Sequence, residues 1–203
     1  MIAAERVALI LLAAGRSERF GERDKLSEPF LGKPLALHVV TALEEVPFAA
    51  RIAVCAATGV DLKERGYEVI VNDAPGEGQS RSVRLGMTAA RADDVDAVLI
   101  ALADMPRVTA AQVWRLLDAA HGENTALASS DGVQPRPPAL FGRAHFGLLE
   151  QLVGDQGARE LILKGRHIVT SSAELIDIDT PEDLERLRES VGVADHSLEQ
   201  RAK

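Results

Sequence analysis

The sequence predicts an α/β fold: a single-domain, Rossmann-like, doubly wound and mostly parallel sheet with helices on both faces. Short apolar runs alternate with longer stretches of helical period from Val7 almost to the carboxyl end, which is the pattern of repeated strand and helix units. Several of these runs are continuously apolar, as expected of strands that helices cover on both sides. The 203 residues, 46% of them hydrophobic and 27% charged, are typical of one globular domain.

The strands are predicted from these apolar runs and from the turn residues that bound them. The first, Val7–Ala13, leads into a loop that contains Gly15, and the fourth ends immediately before Asp104. A last strand is expected to end at Ile178, because the chain must turn at Asp179 before a new helix begins. The predicted strands are residues 7–13, 51–56, 67–71, 97–103, 125–129, 166–170 and 175–178.

Helix starts are predicted from capping residues and prolines. Pro34 marks a first turn, Ser80 precedes an apolar helical face, and Thr109 begins a capping box. Thr180 is followed by Pro181 and two acidic residues, which together make the clearest helix start in the chain.

Composition excludes several classes of protein. With 23 basic and 31 acidic residues the net charge is -8, and aromatic residues make up only 3% of the chain, so no nucleic-acid partner is expected. The longest apolar run, residues 7–14, is far shorter than the roughly 20 residues of a membrane-spanning helix, so no membrane partner is expected either.

Cys55 is the only cysteine, which excludes a disulfide framework and favours a reducing, cytoplasmic location. Because it lies in an apolar run, Cys55 is interpreted as a small buried hydrophobe rather than a nucleophile. The chain shows no linker, internal repeat or low-complexity block. We therefore expect one domain, residues 1–191, followed by a polar tail, residues 192–203.

The loop after the first strand is rich in small and basic residues, and ligands of parallel sheets bind outside the carboxyl ends of the strands. Gly15 and the alanines before it allow backbone N–H groups to approach an anion. Arg16 and Arg19 are able to fork onto phosphate oxygens, and Lys25 follows closely. The spacing of Gly15 and Gly21 matches neither the dinucleotide nor the P-loop fingerprint. A surface turn with solvated charges is the alternative interpretation.

Carboxylates are predicted to reach the same edge of the sheet. Asp104 follows an apolar strand, and Asp177 and Asp179 are two residues apart, which places both on one face of the predicted last strand. Mg²⁺ bound together with substrate phosphates takes one or two such oxygen ligands, so Asp104 and Asp179 are its expected ligands. Helix capping is the alternative role for Asp104. For Asp179 that role is weakened because Thr180 already supplies a capping hydroxyl.

Two windows contain no Asp or Glu although the protein is acidic overall. They are residues 78–92 and 132–149, and the second contains Arg136. Both are expected to receive anionic ligands, with solvated helix faces as the alternative interpretation.

Several segments resemble, in the same order, the motifs of nucleotidyltransferases of the molybdopterin-nucleotide type. Residues 12–21 read L-A-A-G-R-S-E-R-F-G and, with Lys25, are similar to the L-A-[AG]-G-x-S-x-R-[MF]-G…K opening of that family. The resemblance extends from about residue 7 to 187. The other segments that carry it are residues 31–35, 102–106, 154–159 and 177–184.

The resemblance implies Mg²⁺-dependent transfer of a nucleotidyl group to a phosphorylated acceptor, with release of pyrophosphate. With alanine at position 14, the opening resembles the cytidylyl branch of the family, molybdenum cofactor cytidylyltransferase, more than the guanylyl branch, which carries glycine there. Ser82 resembles a serine that lies near the cytosine in methylerythritol-phosphate cytidylyltransferases. The expected partners are therefore CTP and a molybdopterin-type or other phosphorylated acceptor, with a molybdoenzyme as candidate recipient of the product.

The resemblance and the residue chemistry together assign roles. The expected catalytic residues are Arg19, Lys25 and Asp104, and the expected metal ligands are Asp104 and Asp179. The expected acceptor-binding residues are Arg136 and Asp155. The expected nucleotide-binding residues are Leu12, Ala13, Ala14, Gly15, Arg16, Ser17, Lys25, Gly78 and Ser82.

One segment departs from the cytidylyl branch, which usually carries Gly-His-Pro where this chain reads Arg136-Pro137-Pro138. A cytidylyl or other nucleotidyl transferase for a sugar or alcohol phosphate therefore remains one alternative. A non-catalytic nucleotide-binding chaperone that carries the cofactor to a partner enzyme is the other.

Overall fold

The computed structural model describes residues 1–15, 18–21, 23–155 and 157–192. Most of the predicted polar tail, from residue 193 onward, lies outside the described residues, and the division into a domain and a tail stays a prediction. Throughout the described ranges, no helix combines the length and the apolar character that crossing a bilayer requires.

In the described ranges, seven strands form a central sheet and two short strands form a separate hairpin. The strands are β1 (Val7–Ala13), β2 (Pro29–Phe30), β3 (Lys33–Pro34), β4 (Ala50–Cys55), β5 (Glu68–Val71), β6 (Ala97–Leu102), β7 (Ala126–Ser130), β8 (Pro135–Gly142) and β9 (Arg166–Val169). The order in the sheet is β5-β4-β1-β6-β8-β7-β9. All neighbours are parallel except that β8 runs antiparallel to both β6 and β7, so the predicted mostly parallel sheet is confirmed.

Helices cover both faces of the sheet, as predicted. Along β1, Leu9 and Leu11 pack in a core with the helices at residues 36–42 and 110–119, whereas Ile10 and Leu12 pack on the opposite side with the helices at residues 79–90, 146–150 and 159–164. Burial on both faces explains why the first apolar run is continuous rather than alternating. The helices are α1 (Ala36–Ala42), α2 (Gln79–Ala90), α3 (Ala110–Ala119), α4 (Phe146–Glu150), α5 (Arg159–Lys164) and α6 (Pro181–Ser190).

A third, smaller core attaches the carboxyl-terminal helix beside the loop that follows β1. Phe20 and Phe30 are buried there with Ile178 and with Leu184 of α6. This packing brings the segment before α6 to the edge of the sheet where the parallel strands end.

Strand β8 was not among the predicted strands, because its prolines lack the N–H groups that a sheet requires. The pairing of β7 with β8 shifts register between Ala128 and Ser129, opposite Pro137 and Pro138, so the prolines fall where the ladder is interrupted. The Pro137–Pro138 peptide bond is cis. Because β8 is antiparallel, it begins at the edge where β6 ends, and Arg136 lies there.

The predicted strand at residues 175–178 is wrong. Ser171 and Glu174 form a capping box for a 3-10 helix, Ser172–Leu175, and the residues that follow belong to no strand. The backbone N–H of Ile178 instead donates to the Asp104 carbonyl oxygen at 3.0 Å. Local capping and the burial of Ile178 thus outweigh the apolar pattern, but the segment still reaches the predicted edge of the sheet.

The predicted helix starts are largely confirmed. Thr180 caps α6 within a capping box, and Thr109 caps α3 by accepting from the Gln112 N–H at 3.1 Å. The Gln112 side chain has no hydrogen-bond partner among the described residues, so the predicted box at Thr109 is only half formed. Pro34 lies in β3, two residues before α1, and Ser80 lies inside α2 rather than before it.

Candidate active site

Two adjoining cavities open at the edge of the sheet where the parallel strands end. The smaller, of 230 Å³, is hereafter the small cavity, and the larger, of 740 Å³, the large cavity. Leu12, Gln79 and Leu102 line both of them. Two ligands bound in the two cavities would therefore lie side by side across these shared residues.

The small cavity gathers most of the residues predicted to bind the nucleotide. These are Leu12, Ala14, Gly15, Gly78 and Ser82, and Asp104 lies beside them. The side chain of Ala13 instead packs in the core on the opposite face of the sheet, because neighbouring residues of a strand alternate in direction. The predictions for Arg16 and Ser17 lie outside the described residues.

The residues predicted for catalysis and for metal binding form one charged cluster. The Lys25 ammonium lies 2.8 Å from Asp104 Oδ2 and 3.7 Å from Asp179 Oδ1. The Arg19 guanidinium lies 3.5 Å from Asp179 Oδ2. Lys25 is only 5% exposed, so its charge acts where water screens it weakly.

Asp24 holds the short helix on which Lys25 lies. Its carboxylate caps that helix at Leu26 N–H and accepts from Ser27 Oγ, and it also accepts from Thr58 Oγ1 and Gly59 N–H in the loop after β4. Burial acts to raise the pKa of Asp24, but these hydrogen bonds outweigh it and lower the pKa. The backbone next to Lys25 is thereby attached to a second loop at the same edge.

The carboxyl group of Asp104 fits a divalent cation. Its Oδ2 accepts from Lys25, whereas its Oδ1 is buried and accepts no hydrogen bond from the residues that the structure describes. Among the residues that the structure describes, no group of three or more His, Cys, Asp or Glu side chains is arranged to hold a metal ion. This arrangement suits Mg²⁺, which usually takes only one or two carboxylates and completes its coordination with substrate phosphates and water.

Asp177 is a third carboxyl group in the cluster, and the sequence prediction gave it no role. Its pKa is raised to about 6, first by burial and then by repulsion from Asp104 and Asp179. Arg136 lies 3.9 Å from Asp177 Oδ2. The two-residue spacing of Asp177 and Asp179 was the available signal, and the structure shows that both carboxyl groups line the large cavity.

The large cavity brings together the predicted acceptor-binding residues, Arg136 and Asp155. Asp155 also contacts the start of α2: a Cβ at Gly78 would lie 2.3 Å from Asp155 Oδ1 and 2.6 Å from the Gly154 carbonyl oxygen. The segment at Gly154 and Asp155 therefore packs directly against the small cavity. Arg159 lines the large cavity as well, and it was missed although the motif at residues 154–159 contains it.

Cys55 lies outside both cavities at the end of β4. Its side chain is buried, as predicted, and burial raises the pKa of the thiol to about 11. The thiol is therefore protonated at neutral pH and is a poor nucleophile.

Comparison with known proteins shows the family to which the chain belongs. Residues 9–169 match the family model of the MobA-like NTP transferase domain. The purine catabolism protein PucB of Bacillus subtilis (strain 168) is 30% identical over 199 residues, covering 90% of this chain and 96% of PucB. The molybdenum cofactor guanylyltransferase of Methylibium petroleiphilum is 30% identical over 159 residues, covering 75% of this chain and 77% of that enzyme.

A solved structure has the same fold over nearly the whole chain. The crystal structure of a homologue of Mycobacterium tuberculosis Rv0371c, from Mycobacterium sp. strain JC1, superposes with a TM-score of 0.77 and 27% identity, covering 92% of this chain and 97% of that one. Because the family match covers residues 9–169, most of the chain, the chain belongs to the MobA-like NTP transferase domain family and is a nucleotidyltransferase.

Proposed function

We propose that the protein transfers CMP from CTP to the phosphate of a molybdopterin-type acceptor and releases pyrophosphate. The observation that carries this proposal is the pair of adjoining cavities with the cluster of Lys25, Asp104 and Asp179 at their edge. A nucleotide in one cavity and an acceptor in the other would place the reacting phosphates beside this cluster.

The small cavity is assigned to the nucleotide. The resemblance to cytidylyltransferases at Ala14 and Ser82, both of which line this cavity, supports cytosine as the base. The methyl group of Ala14 lies in the wall of this cavity, where it would crowd a purine. Ser82 supplies a hydroxyl group beside the proposed base position.

The triphosphate is assigned to the loop after β1. Backbone N–H groups near Gly15 are expected to approach the phosphates, and Arg19 and Lys25 to neutralise their charge. Asp104, through the Oδ1 atom that no described residue contacts by a hydrogen bond, and Asp179 would hold Mg²⁺. When bound, the ion would stabilise the negative charge that develops on the phosphate oxygens.

The acceptor is assigned to the large cavity. Arg136 and Arg159 line it and suit an anionic phosphate, while Val83, Ile100 and Ile162 offer an apolar surface to a ring system. Relatives that match most of this chain are named for purine catabolism and for molybdenum cofactor guanylylation. The experiment that tests this assignment therefore compares several phosphorylated acceptors.

The proposed reaction requires little proton transfer by the protein. A phosphate acceptor is already anionic near neutral pH, so an acceptor oxygen can attack the α-phosphorus of CTP in line with the departing pyrophosphate. The P–O bond to pyrophosphate breaks as the new P–O bond forms, and no covalent enzyme intermediate is required. The residues of the cluster therefore position the two phosphates and stabilise charge.

GTP is the second candidate nucleotide, because the Methylibium relative is named a guanylyltransferase. A matrix of CTP, GTP, ATP and UTP against molybdopterin and simpler sugar and alcohol phosphates, read out as pyrophosphate with Mg²⁺, tests both candidates. We expect the fastest release with CTP and molybdopterin. A preference for GTP contradicts the base assignment. Binding of nucleotide and acceptor without release of pyrophosphate from any pair contradicts the proposed transferase activity and favours the alternative of a non-catalytic carrier.

A further inference from the structure

Asn72 and Ser82 form a buried hydrogen-bonded pair behind the small cavity. Asn72 follows β5 and is 2% exposed, and Ser82 lies on α2 and is 4% exposed. The Asn72 Nδ2 and Ser82 Oγ atoms are 3.0 Å apart. Ser82 lines the small cavity, whereas Asn72 does not.

The neighbours of Asn72 determine which end of its amide faces Ser82. The Arg81 Nε–H group lies 3.0 Å from Asn72 Oδ1, and the Ala74 backbone N–H lies 3.1 Å from the same atom. Arginine and backbone N–H groups only donate, so both must face an acceptor, which is the carbonyl end of the amide. The Nδ2 end of Asn72 is thereby directed at Ser82.

The orientation of the Asn72 amide also fixes the direction of its hydrogen bond with Ser82. Asn72 Nδ2 can only donate, so Ser82 Oγ accepts and must place its own proton elsewhere. Thr88, on the same helix, donates its hydroxyl to the Arg84 carbonyl oxygen one turn earlier, at 3.0 Å. Within the described part of the chain, the Ser82 hydroxyl donates to no protein acceptor, so its proton is available to the cavity.

We propose that Asn72 is a positioning residue that makes Ser82 a hydrogen-bond donor to the nucleobase, so that the small cavity selects a base with an acceptor atom at that position. This inference rests on the proposed function, which places the base in the small cavity. On cytosine the acceptors available to such a donor are O2 and N3. The hydrogen bonds thus share one direction: Arg81 donates to Asn72, Asn72 donates to Ser82, and Ser82 donates to the base.

Asn72→Asp tests the direction of this chain, because the variant is nearly isosteric and reverses it. The new carboxylate accepts from Arg81 and from Ser82, so Ser82 turns its proton away from the cavity and presents lone pairs to the base. We expect the KM for CTP to rise about tenfold with kcat changed by less than about threefold. Asn124→Asp, which adds the same charge at an exposed position lining neither cavity, is the matched control and should leave both constants unchanged.

Ser82→Ala separates positioning from a merely structural role. We expect it to raise the KM for CTP by a similar factor, and we expect Asn72→Asp to add no further rise in the Ser82→Ala background. Either 2-thio-CTP or 3-deaza-CTP, each of which weakens or lacks one acceptor, should show no penalty from Ser82→Ala. Thermal unfolding of each variant checks that the fold is retained.

The failures are distinguishable. If the unmodified protein releases no pyrophosphate from any nucleoside triphosphate, the proposed function fails. If it is active but Asn72→Asp leaves the KM unchanged, or raises it equally with and without Ser82, the inference is overturned and the proposed function stands. A KM that Ser82→Ala does not change, or a penalty that persists with both analogues, also overturns the inference.

Discussion

The buried ammonium group of Lys25 lies 2.8 Å from Asp104 Oδ2, while Oδ1 of the same carboxyl group is buried and has no hydrogen-bond partner in the described part of the chain. One carboxyl group therefore has one oxygen neutralised by the protein and one left for a ligand. This asymmetry is what the proposed activity requires of Asp104, because the cation at one oxygen and the lysine at the other would both face the phosphates.

Lys25→Met is expected to lower turnover by about 10²- to 10³-fold, because it removes a preorganised charge beside the reacting phosphates. Pyrophosphate release at saturating CTP measures the effect, and circular dichroism checks the fold. Lys164→Ala removes an exposed lysine that lines neither proposed ligand cavity and should keep the unmodified rate. Turnover within about threefold of the unmodified protein would remove Lys25 from the proposed site.

Asp24→Asn is expected to lower the free energy of unfolding at pH 7 by about 1–3 kcal/mol, because it weakens several hydrogen bonds to a charged group. The lowered pKa of Asp24 means that this contribution is complete above its unfolded pKa of about 3.9 and is lost as the pH falls through the folded pKa. Urea unfolding of both proteins from pH 7 down to about pH 3 measures the difference. We expect the difference to shrink below about pH 4, and a pH-independent difference would contradict this role of the carboxylate.

Gly15→Ala and Gly78→Ala are expected to affect different properties, nucleotide affinity in the first and thermal stability in the second. A Cβ at Gly15 would meet no atom of the described residues within 4 Å, so the variant should unfold at the same temperature as the unmodified protein, but its affinity for nucleotide should fall. Gly78 has a φ of +91°, and its Cβ would lie 2.3 Å from Asp155 Oδ1, so Gly78→Ala should lower the unfolding temperature. Differential scanning calorimetry and nucleotide titration measure both effects. Equal unfolding temperatures for the two variants would contradict the packing at Gly78.

Cys55 is expected to resist thiol reagents in the folded protein, because burial raises the pKa of its thiol to about 11. Labelling with Ellman's reagent at pH 8 should be slow without denaturant and complete in urea, and prolonged exposure should leave pyrophosphate release unchanged. Rapid labelling of the folded protein with loss of activity would mean that Cys55 is accessible and functional.

Much of the sheet was predictable because its signals are local. The apolar run of β1 and the cap at Thr180 depend on neighbouring residues alone, and both are confirmed. The residues that follow β1 and β6 were predictable as site candidates because the carboxyl ends of parallel strands meet at one edge.

The parts that were missed depend on contacts between distant segments. The prolines of β8 argue against a strand, because they lack the N–H groups that a sheet requires. The strand forms only because its pairing with β7 is interrupted opposite Pro137 and Pro138. The donation from Asn72 to Ser82 joins the end of β5 to α2, and no motif marks Asn72. Asp177 acquires its raised pKa only when the fold brings it beside Asp104, 73 positions earlier in the sequence.

The most direct test is the anomalous scattering of Mn²⁺ in a crystal of the protein grown with Mn²⁺ and a non-hydrolysable CTP analogue. We expect the metal peak in direct contact with Asp104 Oδ1, with the cytosine in the small cavity beside Ser82. A peak that contacts neither Asp104 nor Asp179, or a cytosine bound outside the small cavity, would contradict the proposed site.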